Sequence, residues 1–258
     1  MTMNFKRQLR SAFGALILHV IFNCCVTSEE QAVAVKITIK GSLRSNSKVT
    51  LTVHRNLENI KLAEADIQAG DSLVLSFPIS TPSIAYIQVD RKYGELYLAP
   101  GYDLIVSPEV GSAKPISYQG KGAEVNNYLT NFNLLKEKIK WANGKYVDEL
   151  EMSEFSKRYD SAETAFNNFE RNYFDSVSLS VQVVQILKAN SEIELSLMRQ
   201  EFANSLLRKD RAKKRTALAQ GAESIPFEYP VEFAKGSNEV KLDTTYLNLG
   251  LSNYAYLL

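Results

Sequence analysis

The sequence predicts an α+β chain: an N-terminal antiparallel β-sandwich followed by an α-helical segment. Two observations carry this. Between residues 33 and 121, apolar and polar residues alternate in short runs separated by Gly, Pro and Asp turn signals. From residue 122 to 258 the apolar period lengthens to three or four residues, the spacing of one helix face. Strands gathered before helices, rather than interleaved with them, belong to the α+β class.

The first 23 residues stand apart from both regions. "MTMNFKRQLR" carries Lys6, Arg7 and Arg10 and no acid, and "SAFGALILHVIF" is an apolar run. That run falls short of the ~20 residues that span a bilayer, and a basic start with a short apolar centre is the pattern of a secretory signal peptide. Both cysteines of the chain follow at once, as Cys24 and Cys25. Adjacent cysteines bridge each other only through a strained ring. A structural metal site takes about four ligands, and a redox motif spaces its thiols as C-x-x-C. Ile21, three places before Cys24, makes the junction resemble the cleavage box of bacterial lipoproteins, whose cysteine is lipid-modified on sulfur and becomes the new N-terminus. The resemblance implies lipid attachment at Cys24. With Cys25 as acceptor, Phe22 and Cys24 would fill the box, and an uncleaved N-terminus with two inert thiols is the remaining alternative. Residues 1–23 then form the signal and residues 24–32 a tether, with the membrane as partner through the lipid.

Loss of residues 1–23 takes 30 Lys and Arg down to 27, against 29 Asp and Glu. Such a balance lacks the basic character of a nucleic-acid binder, so no nucleic-acid partner is expected. A secreted domain of this size buries enough core to fold without disulfides.

In chain order, "VAVKITIKG" sets Val33, Val35, Ile37 and Ile39 against Ala34, Lys36, Thr38 and Lys40. "KVTLTVHR" puts Val49, Leu51 and Val53 on one face, "AEADIQAGD" ends in a Gly70-Asp71 turn, and "DSLVLSFPIS" aligns Leu73, Leu75 and Phe77. "SIAYIQVDRKYGELYLAPGYDLIVSPE" supplies three more strands, divided at Tyr93-Gly94 and at Pro100-Gly101. The Pro-Gly pair suits a type II turn, because proline presets φ at the first central position and glycine accepts positive φ at the second. Gly120 and Gly122 close the last strand. Seven or eight strands at a spacing of about ten residues predict the sandwich, and links too short for crossovers predict antiparallel pairing throughout.

Ala123 opens a helix with Val125, Leu129, Phe132, Leu135 and Ile139 on one face, ending at "NGK" in 143–145. A second helix has Ser153 as N-cap and a buried stripe of Phe155, Tyr159, Ala162, Phe166, Phe169 and Tyr173. The third, from about residue 180 to 220, carries Val184, Leu187, Ile193, Leu195, Met198, Phe202 and Leu206, with a break near Asn190-Ser191. "SIPFEYPVEFAKG" reads as irregular, and the closing "DTTYLNLGLSNYAYLL" as helical.

Taken together, "ELYLAPGYDLIV", "ISYQGKGAEVNNYL" and the closing "LDTTYLNLGLSNYAYLL" resemble, in that order, the N-terminal region of TlpA-like thiol-disulfide oxidoreductase lipoproteins. In that family a strand–Pro-Gly–acid–strand unit precedes a sheet-to-helix junction patterned f-x-G-x-G-x-x-x-N-x-Y-L, and a short helix precedes a linker. Here Tyr102 stands between Pro100-Gly101 and Asp103. The resemblance implies a thioredoxin domain further on, bearing W-C-x-x-C. The one tryptophan, Trp141, has no cysteine beside it, so no catalytic residue of the family carries over.

Other chemistry-bearing residues read more simply. His54 is the only histidine after residue 23; it stands out of phase with Val53 and is expected to face solvent. "RKDRAKKR", Arg208 to Arg215, would attract membrane headgroups or an acidic partner but reads as a solvated helix face. Asp148, Glu149, Glu151 and Glu154 lack the glycine of a calcium loop and suit the start of a helix, where the dipole favours acids. "GKGAEV" lacks the spacing of a phosphate loop. The expectation is therefore a non-catalytic, lipid-anchored module in the envelope of a Gram-negative-type bacterium, more readily periplasm-facing than surface-exposed. It has no expected cofactor or metal and binds a protein or small ligand. The alternative is the N-terminal part of a TlpA-like oxidoreductase whose thioredoxin domain lies outside this sequence.

Overall fold

The computed structural model describes residues 33–41, 46–55, 58–108, 116–139, 147 and 149–220. The strands are β1 (Val33–Lys40), β2 (Ser47–Arg55), β3 (Glu58–Ile67), β4 (Ser72–Ile79), β5 (Ser83–Val89), β6 (Lys92–Leu98), β7 (Asp103–Pro108) and β8 (Ile116–Lys121). They form two four-stranded sheets, in the orders β4-β1-β7-β8 and β3-β2-β5-β6. Three helices follow: α1 (Ala123–Lys138), α2 (Met152–Ser176) and α3 (Val181–Ala219). Strands first and helices after is the expected α+β architecture.

The period-two pattern explains the first core. Val35, Ile37 and Ile39 of β1, Val49 and Leu51 of β2, and Leu104 and Val106 of β7 are all 0 % exposed between the sheets. Each such side chain contributes roughly 1.5–3 kcal/mol by leaving water. β5 and β6 contribute buried residues from both of their faces. Ala85, Ile87, Leu96 and Leu98 point into the sandwich, while Ile84 and Tyr97 point out into a second core made by the helices.

Pairing departs from the all-antiparallel expectation at one place: β1 lies parallel to β7, with Lys36 opposite Asp103 and Ile37 opposite Leu104. Short links forbid parallel pairing only between consecutive strands. Here five strands stand between the two partners, four of them in the order of the other sheet, and they make the return path.

β3 was not foreseen as a strand. It is an edge strand with a register shift opposite Leu51/Thr52, and Ile60 and Leu62 are exposed on it. The bulge breaks the phase that sequence reading depends on, and bulges and charges are the usual protection of an edge. Lys48 and Lys61 both reach Glu64 and hold its carboxyl down to about 2.

Tyr93-Gly94 is no turn. The hairpin turns instead at Asp90, at φ 55°, which accepts from the Lys48 N–H at 2.8 Å. Gly94 sits within β6 because a Cβ there would come 2.7 Å from the Tyr118 hydroxyl and 2.8 Å from Ile116 Cδ1. Close approach of the sheets, not chain reversal, selects that glycine. The Ala99–Tyr102 turn matches expectation: Tyr102 N–H donates to Ala99 C=O at 3.1 Å, with Gly101 at φ 74°.

The helices correct three boundaries. α1 ends at Lys138 rather than at 143–145, which lie outside the described residues. α2 is capped by Glu151, leaving Ser153 inside the first turn. α3 runs unbroken through Asn190-Ser191 because both residues are buried against neighbours rather than turned to water. Its N-cap, Ser180, accepts from the Val183 N–H. Among the described residues no helix is long and apolar enough to cross a membrane.

Candidate functional site

The sheet-to-helix junction gathers residues distant in sequence. Gly120 and Gly122 both take positive φ, 88° and 98°. A Cβ on Gly120 would lie 2.3 Å from the Asp103 carbonyl oxygen, and one on Gly122 would lie 2.2 Å from the Tyr102 ring. No L side chain fits either place, so the G-x-G pattern follows from backbone sign and contact together. Tyr102 also accepts, through its carbonyl, the Lys36 N–H at 2.9 Å, and its ring lies 6.1 Å from that of Tyr97.

One turn into α1, Asn126 is 0 % exposed. Its Oδ1 accepts from the Tyr97 N–H at 2.8 Å, and its Nδ2 donates to the Tyr97 carbonyl at 3.1 Å and to the Gly122 carbonyl at 2.8 Å. β6 is an edge strand, and at Tyr97 the amide of Asn126 takes the place of a neighbouring strand.

Two buried polar groups sit further along the helices. The Tyr128 hydroxyl donates to Glu170 Oε1 at 3.1 Å, and Ser191 Oγ donates to the same oxygen. Burial pushes the Glu170 carboxyl and the Tyr128 hydroxyl up from their ordinary ranges. Lys136 of α1 pairs with Glu194 of α3 at 2.6 Å, both largely shielded from solvent. Glu95 of β6 faces this pair and Asn133, and burial raises its carboxyl against the pull of Lys136. These contacts join β6, α1, α2 and α3 through side chains that each satisfy a neighbour. Chemically they are interior ties, with donors and acceptors already committed to one another.

Sequence reasoning singled out Asn126 by resemblance but missed Glu170, Glu95 and Lys136–Glu194. One signal was available: Glu170 stands within the apolar stripe between Phe166 and Tyr173, where a carboxylate needs partners. The stripe itself is core. Phe155 stacks on Phe202 at 4.0 Å, Phe166 meets Phe132 at 4.7 Å, and Arg199 lies 4.2 Å over the Tyr159 ring.

Cys24 and Cys25, like the closing segment 221–258, fall outside the described residues. His54 lies in β2 opposite Asn59. Glu151 and Glu154 do begin a helix, Glu154 pairing with Arg158 at 2.8 Å. The basic run lies near the end of α3, with Lys214 paired to Asp210 at 2.7 Å. Among the described residues no three His, Cys, Asp or Glu side chains are grouped to hold a metal ion. Compared with known proteins, the chain matches no family model and no curated protein sequence.

Proposed function

We propose that this chain is a lipid-anchored envelope lipoprotein whose sandwich and helices form a non-catalytic interaction module, akin to the N-terminal region of TlpA-like oxidoreductases. One observation supports it above the others. Of the residues that carry the resemblance, Gly101, Gly120 and Gly122 all take positive φ, no Cβ fits at Gly120 or Gly122, and Asn126 bonds both backbone groups of Tyr97 and the Gly122 carbonyl. The anchor is Cys24, with residues 24–32 as tether.

Metabolic labelling with a palmitate analogue in a bacterial host tests the anchor. Label is expected on the wild type and on Cys25→Ala, and none on Cys24→Ala. Label that persists in Cys24→Ala, or is absent from the wild type, defeats this reading. The second reading, a piece of a TlpA-like oxidoreductase, rests on the same junction, since that family continues into a thioredoxin domain. A W-C-x-x-C codon run downstream of Leu258, in any frame, favours it, and the absence of such a run rejects it.

A further inference from the structure

The last turns of α3 run past the start of α2. α2 and α3 run antiparallel, with Ser191 at Glu170, Arg199 over Tyr159 and Phe202 against Phe155. Lys209 Nζ reaches the Leu150 carbonyl at 3.3 Å, just ahead of the α2 start at Met152. α3 continues beyond this point to Ala219. The last side chain of α3 that is 0 % exposed is Ser205.

This last stretch of α3 is strongly basic. Arg208 to Arg215 holds six basic residues and one acid, and that acid, Asp210, is taken by Lys214. Arg211, Lys213 and Arg215 are exposed, and among the described residues none of the three has an ion-pair partner. Exposed Arg211, Arg215 and Leu218 recur at intervals of four and three residues, which places them on one stripe of the helix. Leu218 is 54 % exposed at its end. Guanidinium groups bind phosphate bidentately, and an apolar residue beside them enters the headgroup boundary. An acidic protein face would match the charge but gives no use for the exposed leucine.

We propose that the end of α3, through Arg211, Arg215 and Leu218, docks in the plane of an anionic phospholipid surface. This deepens the envelope reading above: the anchor would bring the chain to a membrane, and α3 would fix its orientation there. The contact belongs to the helix and does not need the lipid.

Vesicle co-sedimentation tests it on the full chain carrying Cys24→Ala and Cys25→Ala, so that no lipid is attached. The vesicles are phosphatidylcholine with or without phosphatidylglycerol. Comparison is with the same chain further bearing Arg211→Gln and Arg215→Gln, which keeps any contribution of residues 1–23 constant. Binding is expected only to the phosphatidylglycerol vesicles, weakened on the order of thirtyfold by the two substitutions and lost in high salt. A charge-matched control, Lys40→Gln with Lys157→Gln, is expected to bind as the parent does. Equal binding to both vesicle types, equal loss in the control, or retention on heparin without vesicle binding each overturns the proposal. Because the label at Cys24 and the binding of the unlipidated chain are read separately, failure of one is distinguishable from failure of the other.

Discussion

Asn126 joins the two parts of the molecule with a single amide. It satisfies both backbone groups of Tyr97 and one of Gly122. Leaving a buried backbone group unsatisfied costs about 1–3 kcal/mol. Asn126→Ala is accordingly expected to lower stability by about 3 kcal/mol, read as a fall in the urea midpoint with an unchanged slope. Asn126→Asp is expected to fare no better, since an ionised carboxylate accepts from the Tyr97 N–H but offers the two carbonyls no donor. The position was legible in the sequence, but its bonds were not. The partner strand lies 29 residues upstream, and nothing local in "GAEVNNYL" says that one of two adjacent asparagines faces a strand edge. Gly94 shows the same limit from the other side: its reason is Tyr118 in the opposite sheet, so local reading mistook it for a turn.

Among the elements, strands and helices with an unbroken period were readable. Val35, Ile37 and Ile39 announce β1, and Val125, Leu129 and Phe132 announce α1. β3 was lost because its bulge changes which residues face inward midway. The false break in α3 came from Asn190-Ser191, polar residues whose burial is explained only by α2, where Glu170 awaits Ser191. That contact makes the α2–α3 joint sensitive to pH. Burial raises the Glu170 carboxyl above its ordinary 4.5, so the folded chain holds this proton more tightly than the unfolded chain. The stabilising contribution is complete below pH 4.5 and is lost as pH rises through the folded-state value. Glu170→Gln keeps an acceptor for Tyr128 and Ser191 without the charge. It is expected to raise the thermal midpoint at neutral pH and to flatten its decline above pH 4.5. A lower midpoint at neutral pH would show that the carboxylate is held ionised and needed.

At the scale of the whole molecule, the sandwich and the helices share a wall. β5 and β6 give one face to each core, so neither core is complete without that pair. Loss of the sandwich strips the helices of Ile84 and Tyr97, and loss of the helices leaves those two residues and Tyr86 facing water. Residues 33–220 are therefore expected to unfold as one unit. Helical circular dichroism and near-ultraviolet tyrosine signals should trace the same urea curve, and two separated midpoints would contradict the shared wall. The order of the sheets has a mechanical consequence as well. β1 is the first described strand, yet it lies inside its sheet, hydrogen-bonded to β4 on one side and to β7 on the other. A pull transmitted through the residues before Val33 along the strand would load both ladders in shear, many bonds at once. Were β1 at an edge and drawn sideways, the same bonds would peel away one after another. A pull at Val33 would thus work against two ladders at once.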